Sequence, residues 1–155
     1  MTQEEFIKVL REEGYSYIEQ DGKLLVFVTG FRREDVYLDN ITDLPEDIVF
    51  VNDGDVWMGS LTSLPPGIGF KNKGQVSLGG LTSIPSGTEF ANKGGHINLK
   101  SIKSISTGAI FNTEEPIFLK SLTGGWFENW EGNIEDINTN ELLRRMISLG
   151  IFDKG

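Results

Sequence analysis

A short β-solenoid is the fold class this sequence predicts: a mainly β, leucine-rich-repeat-like stack of about five coils of about twenty residues, capped at both ends. Three observations predict it. Val36-Tyr37-Leu38, Val56-Trp57-Met58, Val76-Ser77-Leu78, Ile97-Asn98-Leu99 and Ile117-Phe118-Leu119 recur at a near-constant spacing. Phe50, Phe70, Phe90 and Phe111 recur in step with them, followed by Asn52, Asn72 and Asn92 and by Gly54, Gly74 and Gly94. The segments between are short, alternating and broken by Gly, Pro and Asn, which is the pattern of strands and turns.

The first 30 residues read as an N-terminal cap. Thr2 and Glu5 stand at capping-box spacing, Phe6, Val9 and Leu10 form one apolar stripe, and Gly14 ends the helix. A hairpin follows, 15–20 and 23–28, around an Asp21-Gly22 turn that needs positive φ. The repeat occupies 31–125. Each coil adds about 4.7–4.9 Å to the stack, the ordinary strand separation. Aligned positions become ladders: Asn52, Asn72 and Asn92 are expected to bond amide to amide, and Thr62 and Thr82 hydroxyl to hydroxyl. One residue is inserted near Gly94-Gly95-His96 and is expected as a bulge. Residues 126–155 read as the second cap, with Leu142, Leu143, Met146 and Ile147 on one helix face. The whole of 1–155 is expected as a single domain.

The chain has no cysteine, so disulfides and thiolate metal sites are excluded. No apolar run reaches membrane-span length, and residues 1–5 do not open a secretory signal, so a cytoplasmic protein is expected. The formal charge of −9 argues against direct nucleic-acid binding. The charge is uneven: five basic and fourteen acidic residues in 1–55, five and one in 56–105, four and eight in 106–155.

At Leu61-Thr62-Ser63-Leu64-Pro65 and Leu81-Thr82-Ser83-Ile84-Pro85 the chain resembles the twenty-residue leucine-rich repeats of bacterial effector proteins, which carry this phrase once per turn. The resemblance covers 36–125. The asparagine that family keeps after its strand falls at Gly59, Gly79 and Lys100 here, so a horseshoe and a straighter solenoid both stay open. A small helical cap followed by such repeats also resembles phage and prophage proteins. That resemblance implies a phage-encoded inhibitor of a host defence protein, acting in the cytoplasm of a bacterial host.

If the aliphatic pairs point inward, alternation sends three columns outward. The middle column is Tyr37, Trp57, Ser77, Asn98, Phe118. Before it run Asp35, Asp55, Gln75, His96 and Pro116; after it run Asp39, Gly59, Gly79, Lys100 and Lys120. This graded face, acidic and aromatic at one end and basic at the other, is the expected partner-binding surface, with Tyr37, Trp57, Asp35, Asp55, Asn98, Lys100, Phe118 and Lys120 as its contacts. The competing reading has the aromatics covered by the caps or packed on each other. Lys71, Lys73 and Lys93 form a secondary basic stripe, with Lys73 and Lys93 stacked.

The expected function is non-enzymatic binding of another protein, without cofactor or metal; a homo-oligomer stays open. His96 is the sole histidine, and no triad or metal-ligand cluster forms around it in the sequence. Two alternatives remain. An acidic nucleic-acid mimic needs carboxylates spread over one face, whereas these gather toward the two ends. A carbohydrate binder or hydrolase would use Asp35, Asp39 and Asp55 beside Tyr37 and Trp57.

Overall fold

The computed structural model describes residues 1–29, 34–106, 108–112, 117–118 and 152–153. Helix α1 spans Gln3–Glu13. Its start is a full capping box: the Glu5 N–H donates to Thr2 Oγ1 at 3.1 Å, and the Thr2 N–H donates to Glu5 Oε2 at 3.3 Å. Gly14, at φ 81°, ends the helix in the left-handed conformation. Phe6 and Leu10 are fully buried and lay the helix over the end of the stack.

The hairpin is β1 (Ser16–Gln20) and β2 (Lys23–Phe27), paired antiparallel. Asp21 and Gly22 both have positive φ, at 53° and 78°, as a tight two-residue hairpin turn requires. The hairpin is more than a lid. Strand β2 runs parallel to β4 (Ile48–Phe50), with Leu24 opposite Ile48 and Val26 opposite Phe50, so it supplies the first rung of the solenoid itself.

That first side continues through β6 (Gly69–Phe70), β9 (Glu89–Phe90) and β12 (Ile110–Phe111), giving a six-stranded sheet. A second side stacks β3 (Val36–Tyr37), β5 (Val56–Trp57), β7 (Val76–Ser77), β10 (Ile97–Asn98) and β13 (Ile117–Phe118), all parallel. A third side carries β8 (Ser83–Ile84), β11 (Ser104–Ser106) and β14 (Phe152–Asp153). The molecule is therefore a three-sided β-solenoid. The Leu-Thr-Ser-Leu-Pro phrase, which reads as a closing turn, builds the third side: Leu61, Leu64, Leu81, Ile84, Ile102 and Ile105 all point into the core. The expected C-terminal helix lies outside the described residues, and of the expected fifth coil only the strand Ile117–Phe118 lies within them.

Vertical register holds as the period predicts. Val36, Val56, Val76 and Ile97 stand over one another with no exposed surface. Phe50, Phe70, Phe90 and Phe111 form a continuous stack, with centroids 5.5, 5.1 and 5.1 Å apart and rings within 11° of parallel. Burial of each such side chain contributes about 1.5–3 kcal/mol.

The asparagine ladder differs from the expected one. The amides do not bond to each other. Asn72 Nδ2 donates instead to the carbonyls of Gly54 (3.0 Å) in the preceding coil and of Gly74 and Gln75 (both 3.1 Å) in its own. Asn52 does the same toward Glu34 (2.7 Å) and Asp55 (3.0 Å), and Asn92 toward Gly74 (3.2 Å) and Gly95 (2.8 Å). The physical reason is demand. A tight turn between two sheets aims several carbonyls inward at once, and a buried carbonyl needs a donor. Nor does a hydroxyl ladder join Thr62 and Thr82, which are both exposed to water.

The inserted residue is absorbed in the turn rather than in a strand. Gly95 takes φ 151°, and a Cβ there would lie 2.4 Å from the Gln75 nitrogen. Strand β10 resumes in register, with Ile97 opposite Val76.

Candidate functional site

The outward face of the five-stranded sheet is formed by strands of only two residues each, so its side chains are positioned by the turns at either end. The turn before each strand is held by the asparagines just described and by a second ladder of carboxylates. Asp35 Oδ1 accepts the Asp55 N–H at 2.7 Å, and Asp55 Oδ1 accepts the Gln75 N–H at 2.9 Å. Gly54 and Gly74 lie beneath these carboxylates: a Cβ on Gly74 would fall 2.0 Å from Asp55 Oδ1 and 2.7 Å from the Asp55 nitrogen. Glycine is required there by close approach between coils.

This corrects the reading of Asp35 as an outward contact. Asp35 is only 8% exposed, and its carboxylate ties one coil to the next. Asp55 is half-buried and plays the same part. A carboxylate can accept several N–H groups at low cost, which suits it to a stacked turn. After the strand, Asp39 Oδ1 likewise accepts the Gly59 N–H at 2.7 Å.

What remains on the surface is the aromatic pair and the basic end. The Tyr37 and Trp57 rings stack, with centroids 6.1 Å apart and planes 10° from parallel. They pack on each other, and Tyr37 still leaves 51% of its surface open. Trp57 is half-buried, with its Nε1–H shielded and unpartnered among the described residues. The Tyr37 hydroxyl donates to Asp35 Oδ2 at 3.2 Å, which fixes the ring's tilt. Beyond the pair the face flattens at Gly59, Ser77 and Gly79. Lys100 then lies back along it, its Cε 3.0 Å from where a Gly79 Cβ would be. Asn98 Oδ1 accepts the Lys100 N–H at 3.2 Å. The side chain of Phe118 and all of Lys120 lie outside what the structure describes.

One residue of this site was not expected. Strand β3 is the edge of its sheet, and Tyr37 turns its backbone N–H and C=O away from β5. Tyr15 takes both: its hydroxyl oxygen accepts the Tyr37 N–H at 2.7 Å, and its O–H donates to the Tyr37 carbonyl at 3.3 Å. An exposed strand edge is an aggregation hazard, and this phenol blocks it. Burial pushes the Tyr15 phenol above its ordinary value, the nearby Glu13 and Asp35 charges adding to the effect. Tyr15 sits 22 residues from Tyr37, and nothing local in the sequence links them.

The secondary basic stripe does not form one surface. Lys73 pairs with Asp53 at 2.9 Å. A bond from Lys73 holds the Asp53 carboxyl below the usual range, and Asp53 in turn raises Lys73. Asp53 also raises the Glu34 carboxyl beside it. Lys71 belongs to a different side of the solenoid, the outer face of the six-stranded sheet. Among the described residues no three His, Asp or Glu side chains are grouped to hold a metal ion, and no helix is long and apolar enough to cross a membrane.

Comparison with protein-family models, with curated proteins and with solved structures found no match for this chain. The class is thus defined by the architecture alone: a three-sided β-solenoid with a helix-and-hairpin N-terminus.

Proposed function

We propose that the chain is a non-enzymatic protein-binding module whose contact surface is the outward face of the five-stranded sheet. The observation that carries this reading is the Tyr37–Trp57 stack, half open to water and held rigid from beneath by Asp35 and Tyr15. A pre-ordered aromatic pair loses little freedom on binding, and Tyr and Trp dominate interface energetics. Lys100, across a flat glycine-bordered stretch, gives the face a direction. The resemblance of the overall plan, a small helical cap followed by repeats, to phage and prophage proteins supplies the proposed setting, a phage-encoded inhibitor of a host defence protein in the bacterial cytoplasm.

A hydrolase is the weaker reading because the carboxylates beside the aromatics are already engaged, Asp35 and Asp55 by backbone amides of the next coil. The test is capture from host lysate with mass spectrometry, comparing the native chain with Tyr37→Ala. Tyr37 is the better probe than Trp57, whose half-buried indole contributes to folding as well. Loss of one specific captured protein, with the melting temperature unchanged, supports the reading. Undiminished capture by Tyr37→Ala removes this face from the interface.

A further inference from the structure

The outer face of the six-stranded sheet carries a row that folding alone does not explain. Strand register aligns Ile18, Leu25, Val49, Gly69, Glu89 and Ile110 from edge to edge. They alternate with the inward phenylalanines and so face outward. An outer sheet face is ordinarily polar. Here Ile18 and Ile110 stand 47% and 46% exposed at the two ends of one row, with half-buried Leu25 between them. A trough of about 320 Å³ lies across the middle, lined by Gly67, Gly69 and Gly87.

Gly69 is the only glycine inside a strand among the described residues. Its φ is not positive, and a Cβ there would meet Val49 at 3.5 Å, an ordinary contact. The chain's own fold does not require glycine at this point, and glycine weakens a strand. Strand glycine often marks a bulge, a tight bend or close approach by another backbone or ligand; the register through Gly69 and Phe70 is unbroken, so no bulge calls for it. Charge points to which one. Lys23 is paired with Asp47 at 2.9 Å. Lys71 and Glu89 also line the trough, are of opposite sign, and have no ion-pair partner among the described residues.

We propose that this face is a homodimer contact in which a two-fold-related copy sets Lys71 of each protomer against Glu89 of the other, with Ile18, Leu25 and Ile110 packed around these pairs. A two-fold axis uses the same patch twice, so an unpaired cation and an unpaired anion on one patch neutralise each other across it. The Tyr37–Trp57 face lies on another side of the solenoid, so the dimer presents two copies of it.

Sedimentation equilibrium on the full chain tests this. The native protein is expected to show a monomer–dimer equilibrium. Lys71→Glu and Glu89→Lys each set like charges opposite one another and are expected to weaken the dimer at least about tenfold. The double variant K71E/E89K restores the pairs and is expected to recover most of the loss. Unchanged melting temperatures below the dimer concentration range show that the variants fold. A second measurement needs no variant: the Ile18 and Ile110 methyl resonances of the native chain shift as concentration rises through the dimer range. A chain monomeric at every concentration, a dimer indifferent to both single reversals, or methyl resonances that do not move would each overturn the proposal.

Discussion

Asn72 holds the turn between the six-stranded and five-stranded sheets, and replacing it separates two kinds of cost. Its side chain is fully buried, and the two Nδ2 hydrogens are shared among three carbonyls, those of Gly54, Gly74 and Gln75. Each of these carbonyls has a second donor: the Gly74 N–H, the Asn92 amide and the Val56 N–H respectively. Asn72→Ala therefore removes two donor hydrogens, one of them shared, without orphaning an acceptor. At about 1 kcal/mol net per donated hydrogen, the expected cost is about 2 kcal/mol. Asn72→Asp keeps the shape but replaces the donor with an anion facing three carbonyl oxygens. It is expected to cost at least about 4 kcal/mol at neutral pH, in the range of an uncompensated buried charge. Burial would raise that carboxyl above its unfolded value, so the Asp variant is expected to regain stability relative to wild type as pH falls. Urea unfolding of the three proteins at neutral and acidic pH reads all of this. If Asn72→Asp proves as stable as Asn72→Ala at neutral pH, the amide is not the donor that holds this turn, and the reasoning fails.

The remaining expectations are narrower. Tyr15→Phe removes the phenol that blocks the edge of β3 and is expected to cost about 1 kcal/mol by thermal melting. Because the folded-state value of the Tyr15 phenol lies above its unfolded one, its contribution is intact below pH 10.0 and lost as pH rises through the raised value; Tyr15→Phe should flatten that alkaline decline. Gly80→Ala puts a Cβ 2.5 Å from the Gly59 carbonyl oxygen and is expected to lower the melting temperature sharply, whereas Gly69→Ala, with only an ordinary contact to Val49, should leave it nearly unchanged. Asp55→Asn keeps an acceptor for the Gln75 N–H and is expected to fold nearly as well as wild type, while Asp55→Ala costs about 1–2 kcal/mol. Equal losses from the two Asp55 variants would show that charge, not acceptance, matters there.

What the sequence determined by itself was whatever depends on neighbours a few residues apart or on a fixed period. The Thr2–Glu5 capping box, the Gly14 stop and the Asp21-Gly22 turn are local hydrogen-bond and backbone requirements, and all three form as read. The twenty-residue period likewise stacks Val36, Val56, Val76 and Ile97 in one inward column, because only that register buries them together. The tertiary structure alone decided which polar groups are structural and which remain on the surface. Asp35 reads as a surface acid until the next coil brings the Asp55 N–H to it, and the asparagines read as a mutual ladder until the turn aims its carbonyls inward. Tyr15 reaches Tyr37 only because the hairpin folds against the sheet edge. In each case the deciding partner is a backbone group some twenty residues away. Every residue type but proline has the same backbone groups, so the sequence carries little mark of where such a partner will lie.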